Sequence, residues 1–214
     1  SEELFKQMAQ AVIDGEEEDA AALARQALDE GVAPLDAINK GYAAGMDVVS
    51  DLYTTGEYFL PDLILGGEAM KAALVVLEPA LKAIGQEREV LGKVVLGTVK
   101  GDIHEIGKSL VGTMLSTNGF EVFDLGIDIE SSVFVDKARE YDADIVALSA
   151  LLTTTMLHQR DVIEHLSEAG LRERVKVMVG GSPVTPEWAE QIGADGFAED
   201  AATSVGMAKK LMGL

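Results

Sequence analysis

The spacing of the hydrophobic residues changes near residue 90, and this change restricts the chain to a fold with two kinds of layer. Before that point apolar residues recur at intervals of three and four, as in Leu74, Leu77, Leu81 and Ile84. Such spacing is typical of amphipathic helices. After it, short β-branched runs alternate with helical stretches, which indicates βαβ units and a parallel sheet. A helical half followed by an α/β half is therefore predicted.

The helical half is predicted to be a four-helix bundle over residues 1–84. Its helices are separated by turn-forming sequences at Asp14-Gly15, Gly31 to Pro34 and Thr54 to Pro61. The stretch from Gly85 to Gly92 is polar and follows the last periodic residue. It is therefore predicted to be a linker between two domains.

Residues 93–214 are predicted to form a flavodoxin-like, doubly wound domain with a five-stranded parallel sheet. The predicted strands are Lys93 to Val99, Glu121 to Leu125, Asp144 to Ser149, Lys176 to Val179 and Gly196 to Ala198. The predicted helices lie near Gly107 to Thr117, Ser131 to Tyr141, Thr154 to Ala169, Pro186 to Ile192 and Ala201 to Met212. Ligands of such sheets bind beyond the carboxyl ends of the strands, at the switch point between the first and third strands.

The composition limits the possible partners and metal sites. The chain carries 17 basic and 37 acidic residues, a formal charge of −20. This charge repels phosphate groups, so neither nucleic acid nor a membrane surface is an expected partner. The absence of cysteine excludes disulfides, iron–sulfur clusters and thiolate metal sites. With no long apolar run and no signal peptide at the start of the sequence, a cytoplasmic protein is expected.

The loop after the first predicted strand, GDIHEIGK, contains a candidate metal ligand. His104 can offer a neutral imidazole to a transition metal, and Asp102 can accept the other ring N–H. One histidine does not complete a protein metal site, so the metal would have to arrive in a cofactor that brings its other ligands. The alternative is that His104 only caps the following helix or packs in the loop.

Two further loops carry residues suited to a ligand. The segment from Ser149 to Thr155 has four hydroxyls, which could bind a polar group or reach Asp102. Helix capping by Thr153 or Thr154 would explain one of them. The pair Gly180-Gly181 could let a planar group approach the backbone, or could serve a turn that requires positive φ.

Taken together, these loops resemble a known family. GDIHEIG, the Ser-Ala-Leu of residues 149–151 and Gly180-Gly181 resemble the Asp-x-His-x-x-Gly, Ser-x-Leu and Gly-Gly elements of cobalamin-binding proteins that displace the cofactor's own base. Phe59 to Leu63 and Glu68 to Lys71 resemble the helical cap of methionine synthase and of the small corrinoid proteins of methylotrophic and demethylating systems. The resemblance extends over nearly the whole chain.

The resemblance implies a role for each loop. His104 would be the lower axial ligand of cobalt, Asp102 would accept its ring proton, and Thr155 would complete a relay in which methionine synthase has a serine. Ser149 and Thr153 would hydrogen-bond the cofactor's nucleotide tail. The implied cofactor-binding residues are Gly101, Asp102, Ile103, His104, Glu105, Gly107, Ser149, Leu151, Thr153, Gly180, Gly181 and Ala201.

The resemblance also implies a function. The chain would hold cobalamin or a related corrinoid and carry a methyl group, as methylcobalamin, from a substrate:corrinoid methyltransferase to one that methylates tetrahydrofolate or coenzyme M. The first partner would demethylate a methylamine, methanol or an aryl methyl ether, and a reductive activase would be a further partner. The helical half would cover the cofactor and move about Gly85 to Gly92. Phe59, Leu63 and Met70 are candidates for its covering face, with ordinary bundle core as the alternative.

Three other functions compete with the methyl carrier. The first is a cobalamin-dependent sensor, although this class normally carries a DNA-binding domain. The second is the cobalamin subunit of a mutase, which pairs with a catalytic barrel and usually lacks such a cap. The third is a flavodoxin-like domain for a flavin or a response-regulator phosphate, which leaves the helical half and His104 without a purpose.

Overall fold

The computed structural model describes residues 2–85 and 90–214. These residues divide into two compact units, one on each side of residues 86–89. We call them the helical unit (residues 2–85) and the sheet unit (residues 90–214). Half of the predicted linker, Gly85 to Gly92, lies outside the described residues, so its role as a hinge stays a prediction.

The helical unit contains four consecutive helical rods, as predicted. The third rod is continuous from residue 34 to residue 55 but includes a π-helical segment, which the sequence pattern did not indicate. The turns between the rods fall at the three predicted breaks. The segments are α1 (Glu2–Ile13), α2 (Glu17–Asp29), α3 (Pro34–Asp36), the π-helix Ala37–Tyr42, α4 (Ala43–Thr55) and α5 (Leu60–Ala83).

Small residues bring the helices of this unit close together. A Cβ atom added to Gly45 on α4 would lie 2.5 Å from the carbonyl oxygen of Ala9 on α1. Leu63 and Met70 on α5 are buried, as the bundle-core alternative requires. Phe59, just before α5, is 67% exposed and is the only one of the three covering-face candidates at the surface.

The sheet unit has the predicted flavodoxin-like architecture, with five parallel strands in the order β2-β1-β3-β4-β5. The chain reverses its direction of winding between β1 and β3, which is the predicted switch point. The strands are β1 (Lys93–Thr98), β2 (Glu121–Asp124), β3 (Ile145–Ser149), β4 (Lys176–Gly180) and β5 (Gly196–Ala198). The helices are α6 (Ile106–Thr117), α7 (Ser131–Glu140), α8 (Leu157–Glu168), α9 (Pro186–Ile192) and α10 (Ala201–Leu211).

Helices cover both faces of the sheet. On one face α6 and α10 contact each other, and on the other α7 and α8 do so. Val95, Val146 and Val177 from the three central strands pack into one apolar cluster with Trp188 of α9. Burial on both faces explains why the strands are continuous apolar runs rather than alternating ones.

The start of α8 differs from the prediction. The helix begins at Leu157 rather than Thr154, and Met156 precedes it without a side-chain cap. The interpretation of Thr153 or Thr154 as a helix cap is therefore wrong. Residues 152–156 instead form turns that direct the hydroxyl of Thr155 towards Asp102.

Among residues 2–85 and 90–214, no helix is both long enough and apolar enough to cross a membrane.

Candidate cofactor-binding site

Asp102, His104 and Thr155 form one hydrogen-bonded relay at the carboxyl edge of the sheet. His104 Nδ1 lies 2.7 Å from Asp102 Oδ1, and Thr155 Oγ1 donates to Asp102 Oδ2 over 2.6 Å. Because a carboxylate only accepts, this geometry places a proton on Nδ1, and in the neutral form of the imidazole Nε2 is the nitrogen without one. Nε2 then keeps its lone pair and is available to a metal.

The loop after β1 buries the carboxylate of this relay and leaves its imidazole partly exposed. Asp102 is completely buried, whereas the His104 side chain is 45% exposed. Thr98, the last residue of β1, donates its hydroxyl to the carbonyl of His104 over 2.9 Å. The imidazole is thus anchored from below and presented at the rim of the sheet.

Hydrogen bonds to Asp102 keep its carboxylate ionised although it is buried. Burial by itself would raise the pKa of Asp102. The hydroxyl of Thr155, the backbone N–H groups of Leu151 and His104 and the His104 ring outweigh burial, and they hold this pKa well below its ordinary value of 3.8. The carboxylate therefore remains a full negative charge that can orient and polarise the imidazole.

Asp128, in the loop after β2, supports the backbone of the same loop and was missed by the sequence analysis. Its carboxylate accepts from the N–H of Gly101 at 2.6 Å, and its own N–H donates to the carbonyl of Asp102 at 3.0 Å. Its φ is +54°, an unfavourable value for a residue with a side chain. Asp128 lies 26 residues from Asp102 and 27 from Gly101 in the sequence, so no local sequence pattern indicates these hydrogen bonds.

A cleft of about 450 Å³ opens beside His104, between the sheet and the helices α6 and α10. Most of the predicted cofactor-binding residues line it. These are Ile103, His104, Glu105, Gly107, Ser149, Leu151, Gly180 and Gly181.

The remaining predicted site residues lie outside the cleft lining. Gly101 lies in the turn held by Asp128, while Asp102 and Thr155 are buried beneath the imidazole. Thr153 is exposed, and Ala201 is the first residue of α10. The structure thus brings the loops after β1, β3 and β4 together but does not turn Thr153 or Ala201 into the cleft.

Two aligned rows of residues form the sheet side of the cleft. Ser149 and Gly180 are paired at the strand ends and, with Ala198, form the outer row. Two residues earlier in each strand, Leu96, Ala147 and Met178 are paired side by side. Since side chains two residues apart point to the same face of a sheet, these three form an inner row on the same wall. The inner row was missed because it depends on strand register.

Glycine is required at positions 181 and 107 for different physical reasons. Gly181 has a φ of +124°, and a Cβ atom there would collide with the carbonyl oxygen of Ala150. Backbone conformation therefore explains Gly181. At Gly107 on α6 nothing lies within 4 Å of an added Cβ atom, although the residue lines the cleft. Gly107 leaves open space that a ligand can occupy.

Lys108 is a second buried charge at the cleft that the sequence analysis did not assign. Its side chain is completely buried, and its ammonium pairs with Asp124 at the end of β2. The pair ties the first turn of α6 to the neighbouring strand. It thereby fixes the helix that follows the His104 loop.

The donor set fits a metal that arrives inside a cofactor. Within residues 2–85 and 90–214, no group of three or more His, Asp and Glu side chains is arranged to hold a metal ion. One half-exposed imidazole with a free Nε2, beside a cleft, suits a metal whose other ligands belong to a macrocycle with a side arm. The residues present therefore fit a corrinoid.

Both units match B12-binding families. Residues 92–206 match one B12 binding domain family, and residues 4–78 match a second family described in the same words. The chain is 48% identical to dimethylamine corrinoid protein 2 of Methanosarcina acetivorans over 211 residues, 99% of this chain and 97% of that protein. It is 44% identical to trimethylamine corrinoid protein 1 of the same organism over 211 residues, covering 99% and 98%.

Solved structures agree with these matches. The methanol:cobalamin methyltransferase complex of Methanosarcina barkeri superimposes with a TM-score of 0.89 at 30% identity, covering 99% of this chain and 80% of that chain. A cobalamin-binding protein from Desulfitobacterium hafniense gives 0.75 at 37% identity, covering 95% and 96%. The chain therefore belongs to the B12-binding corrinoid proteins of methyltransferase systems, and its cofactor is a corrinoid.

Proposed function

We propose that this chain is a methyl carrier, which holds a methyl group on the cobalt of its corrinoid between two partner methyltransferases. The first partner would be a substrate:corrinoid methyltransferase, and the second would transfer the methyl group to tetrahydrofolate or coenzyme M. The names of the relatives, which include dimethylamine and trimethylamine corrinoid proteins, favour a methylamine as the methyl source. The observation that carries the proposal is the relay that orients Nε2 of His104.

The relay suits an axial ligand of cobalt. A corrinoid supplies a cobalt centre that can accept a methyl group and pass it on. His104 would hold the lower face of that centre through Nε2, while Asp102 fixes the tautomer and makes the imidazole a stronger donor. Thr155 would keep the Asp102 carboxylate in place through its 2.6 Å hydrogen bond.

Protonation of His104 would weaken the hold of this pair on the cofactor's metal. A proton on Nε2 removes the lone pair that binds metal, and Asp102 would stabilise the resulting imidazolium. The His104–Asp102 pair would therefore hold the cofactor's metal only while Nε2 carries no proton.

The cleft would hold the nucleotide tail that His104 displaces. It opens directly beside the imidazole, and Gly107 leaves room on its α6 side. Among the described residues the Ser149 hydroxyl has no hydrogen-bond partner, so it can donate to the tail. Partners would approach a chain of charge −20, which favours methyltransferases with a basic docking surface.

Replacing the proposed ligand tests this function. We expect His104→Ala to retain some corrinoid through the cleft but to lose the visible absorption band of imidazole-ligated cobalt. His165→Ala is the matched control, because His165 is exposed and its Nδ1 contacts only the carbonyl of Asp161, 2.7 Å away. An unchanged spectrum in His104→Ala would reject His104 as the ligand.

A second measurement separates the carrier from a mutase subunit. The reduced, corrinoid-loaded protein is treated with methyl iodide. A carrier should form a stable methylated cofactor that a partner methyltransferase can discharge. Exclusive affinity for the adenosyl form of the cofactor would instead support the mutase alternative.

A further inference from the structure

Two aspartates adopt a positive φ among the described residues, Asp128 at +54° and Asp142 at +51°. Asp142 follows the C-cap residue of α7, where helices commonly end in the left-handed conformation. Asp128 lies in the loop between β2 and α7, where no helix ends. Glycine adopts such φ values without strain, so the backbone alone would favour glycine at either position. The carboxylate of Asp142 pairs with Arg174 at the surface, whereas that of Asp128 reaches the loop that bears His104.

Asp128 fixes the backbone at both ends of the dipeptide Gly101-Asp102. Its carboxylate accepts the N–H of Gly101 at 2.6 Å, and its own N–H donates to the carbonyl of Asp102 at 3.0 Å. The N–H of Asp102 is bound within the loop, to the carbonyl of Val99 at 3.1 Å. A hydrogen bond to a carboxylate is stronger than one to a neutral acceptor. The peptide planes before Gly101 and after Asp102 are therefore both held, and the first is held by a charge.

The hydrogen bonds of Asp128 reach further along the loop than the strand pairing does. Val99 forms a parallel bridge with Ile129 and is the last residue of this pairing. Beyond Val99, the described ion pairs and hydrogen bonds between the two loops are a surface pair, Lys100 with Glu130, and the two bonds of Asp128. The surface pair contributes little to holding the loop, because it is exposed to water. Asp128 is therefore the main restraint on the β2 side of the relay.

The loop that bears His104 is thus held from both neighbouring strands. On the β3 side, the N–H of Leu151 and the hydroxyl of Thr155 bind the Asp102 carboxylate over 2.7 and 2.6 Å. On the β2 side, Asp128 binds the backbone of the same residue. A carboxylate keeps one orientation towards an imidazole only where the backbone that carries it is fixed. Without the β2 restraint, the peptide units around Asp102 would be free to rotate.

We propose that Asp128 is a positioning residue for the axial ligand. Its carboxylate fixes the backbone of Asp102, so that Asp102 binds Nδ1 of His104 and Nε2 is left for the metal. Asp128 is not among the residues that line the cleft, so it acts through the backbone rather than on the cofactor. If the loop takes several orientations and only a fraction of them binds metal, the apparent affinity falls by that fraction. This inference rests on the proposed function, because it takes His104 as the ligand.

Two substitutions at position 128 separate the carboxylate from the backbone conformation. Asp128→Gly keeps the positive φ without strain and removes the acceptor. Asp128→Asn also tolerates this φ and keeps an acceptor oxygen for the N–H of Gly101. Asp142→Gly is the matched control, because it removes the second described aspartate at positive φ, whose contact lies on the surface. All three are made in the full chain.

The first readout is the tautomer of His104 in the cofactor-free chain. Nitrogen-15 NMR of the neutral rings shows which ring nitrogen carries the proton, and His158 and His165 serve as internal references. We expect the wild type, Asp128→Asn and Asp142→Gly to show His104 with its proton on Nδ1. Asp128→Gly should show a mixture of the two tautomers. Urea unfolding is measured alongside, since a merely structural role would lower stability and leave the tautomer unchanged.

The second readout is corrinoid binding, measured by equilibrium dialysis and by the absorption band of imidazole-ligated cobalt. Removing a group that orients a metal ligand typically weakens binding by about 10- to 100-fold. Because Asp128 acts one step further from the metal, we expect Asp128→Gly to bind corrinoid about tenfold more weakly and to show a weaker band. Asp128→Asn should recover most of this loss, and Asp142→Gly should bind as the wild type does.

Several outcomes would overturn the inference. The first is a wild-type tautomer and affinity in Asp128→Gly. A loss that Asp128→Asn does not recover, or that Asp142→Gly shares, has the same consequence. If Asp128→Gly does not fold, hydrogen exchange of the Gly101 amide in the wild type decides. Gly101 is exposed, so slow exchange supports the restraint by Asp128, and exchange as fast as that of an open loop rejects it.

The proposed function fails in a different way. In that case the wild type binds corrinoid without the imidazole band, or does not bind it. The tautomer of His104 in the cofactor-free chain then still shows whether Asp128 positions the relay, while the link to a metal ligand is overturned. If the band and the affinity are equal in the wild type and Asp128→Gly, His104 keeps its role and only the positioning by Asp128 is rejected.

Discussion

The two units bury different kinds of side chain. In the described residues, each buried polar or charged side chain, such as Asp102, Lys108, Thr155 and Gln159, lies in the sheet unit. In the helical unit the hydroxyl of Tyr42 is buried and donates to the carbonyl of Ala20 over 2.7 Å, and the Ser50 hydroxyl is buried without a partner among the described residues. Burial of polar groups is unfavourable unless every group is paired. The fully buried polar residues are therefore concentrated in the unit that contains the candidate cofactor site.

A buried glutamine extends this contrast. Gln159 on α8 donates to the carbonyls of Leu148 and Gly180, each over 3.1 Å, and accepts from the indole N–H of Trp188 over 3.0 Å. It thereby ties together the carboxyl ends of β3 and β4 next to the cleft. In the helical unit, helices α1 and α4 are held together by the close approach of their backbones at Gly45. Close packing alone suffices where no polar group has to be held in a defined orientation.

The largest loss of stability is expected from Asp102→Ala, which tests the contrast between the two units. The change leaves Thr155, Leu151 and His104 with buried donors that have lost a charged acceptor. The free energy of unfolding of the sheet unit should fall by about 3–5 kcal/mol. Urea unfolding followed by the fluorescence of Trp188, the only tryptophan of the chain, measures it.

The control is Asp51→Ala, which removes an exposed carboxylate from α4. It should change stability by less than about 0.5 kcal/mol. The pH dependence gives an independent check. Since the folded pKa of Asp102 lies below its ordinary value of 3.8, the stabilisation it provides is complete above that pH and is lost as the pH falls further. If Asp102→Ala and the wild type lose stability in parallel below pH 3.8, the stabilising role of this carboxylate is wrong.

An intermediate effect is expected from Tyr42→Phe in the helical unit. One hydrogen bond is lost while the aromatic packing remains, so stability should fall by about 1 kcal/mol. Burial raises the pKa of Tyr42 above its ordinary value of 10.0. Above that pH the unfolded chain releases a proton that the folded chain retains, and wild-type stability should decrease. Circular dichroism at 222 nm during urea unfolding, across an alkaline pH series, measures this change.

Tyr42→Phe should lack this part of the alkaline decrease. Tyr53→Phe on α4 is the control, because its hydroxyl has no hydrogen-bond partner among the described residues. It should change stability by less than about 0.5 kcal/mol. An alkaline decrease of the same size in Tyr42→Phe and the wild type would mean that the buried phenol does not govern it.

The smallest change in stability is expected from Gly107→Ala. This substitution should raise stability and lower corrinoid affinity. Gly107 is the second residue of α6, and an added methyl group meets nothing within 4 Å. Alanine should therefore stabilise the helix by about 0.5–1 kcal/mol. The same methyl group would occupy ligand space, so corrinoid affinity should fall. Thermal unfolding of the cofactor-free chain and corrinoid dialysis measure the two effects. If both properties improve, Gly107 does not leave room for the ligand.

Local sequence signals were sufficient for the parts of the site that are close in sequence. Asp102 and His104 are two residues apart in one loop, and their hydrogen bond follows from that spacing. The hydroxyls between Ser149 and Thr155 were expected to be able to reach Asp102, but only the resemblance singled out Thr155, since 53 residues separate it from Asp102. Asp128 gave no signal, because its contacts are with backbone atoms of a distant loop. The start of α8 was misplaced because residues 153–156 form turns, in which Thr155 donates to the distant Asp102.

The sequence by itself determined the order of the elements, the change from helical unit to sheet and the loop that bears His104. Hydrophobic period and turn-forming residues act over a few positions, so they can be read along the chain. Only the tertiary structure decided that Leu96, Ala147 and Met178 share one wall, and that Asp128 braces the relay. These relations depend on strand register and on packing between distant segments, and the free energy that fixes them comes from burial of the whole sheet rather than from any local pattern.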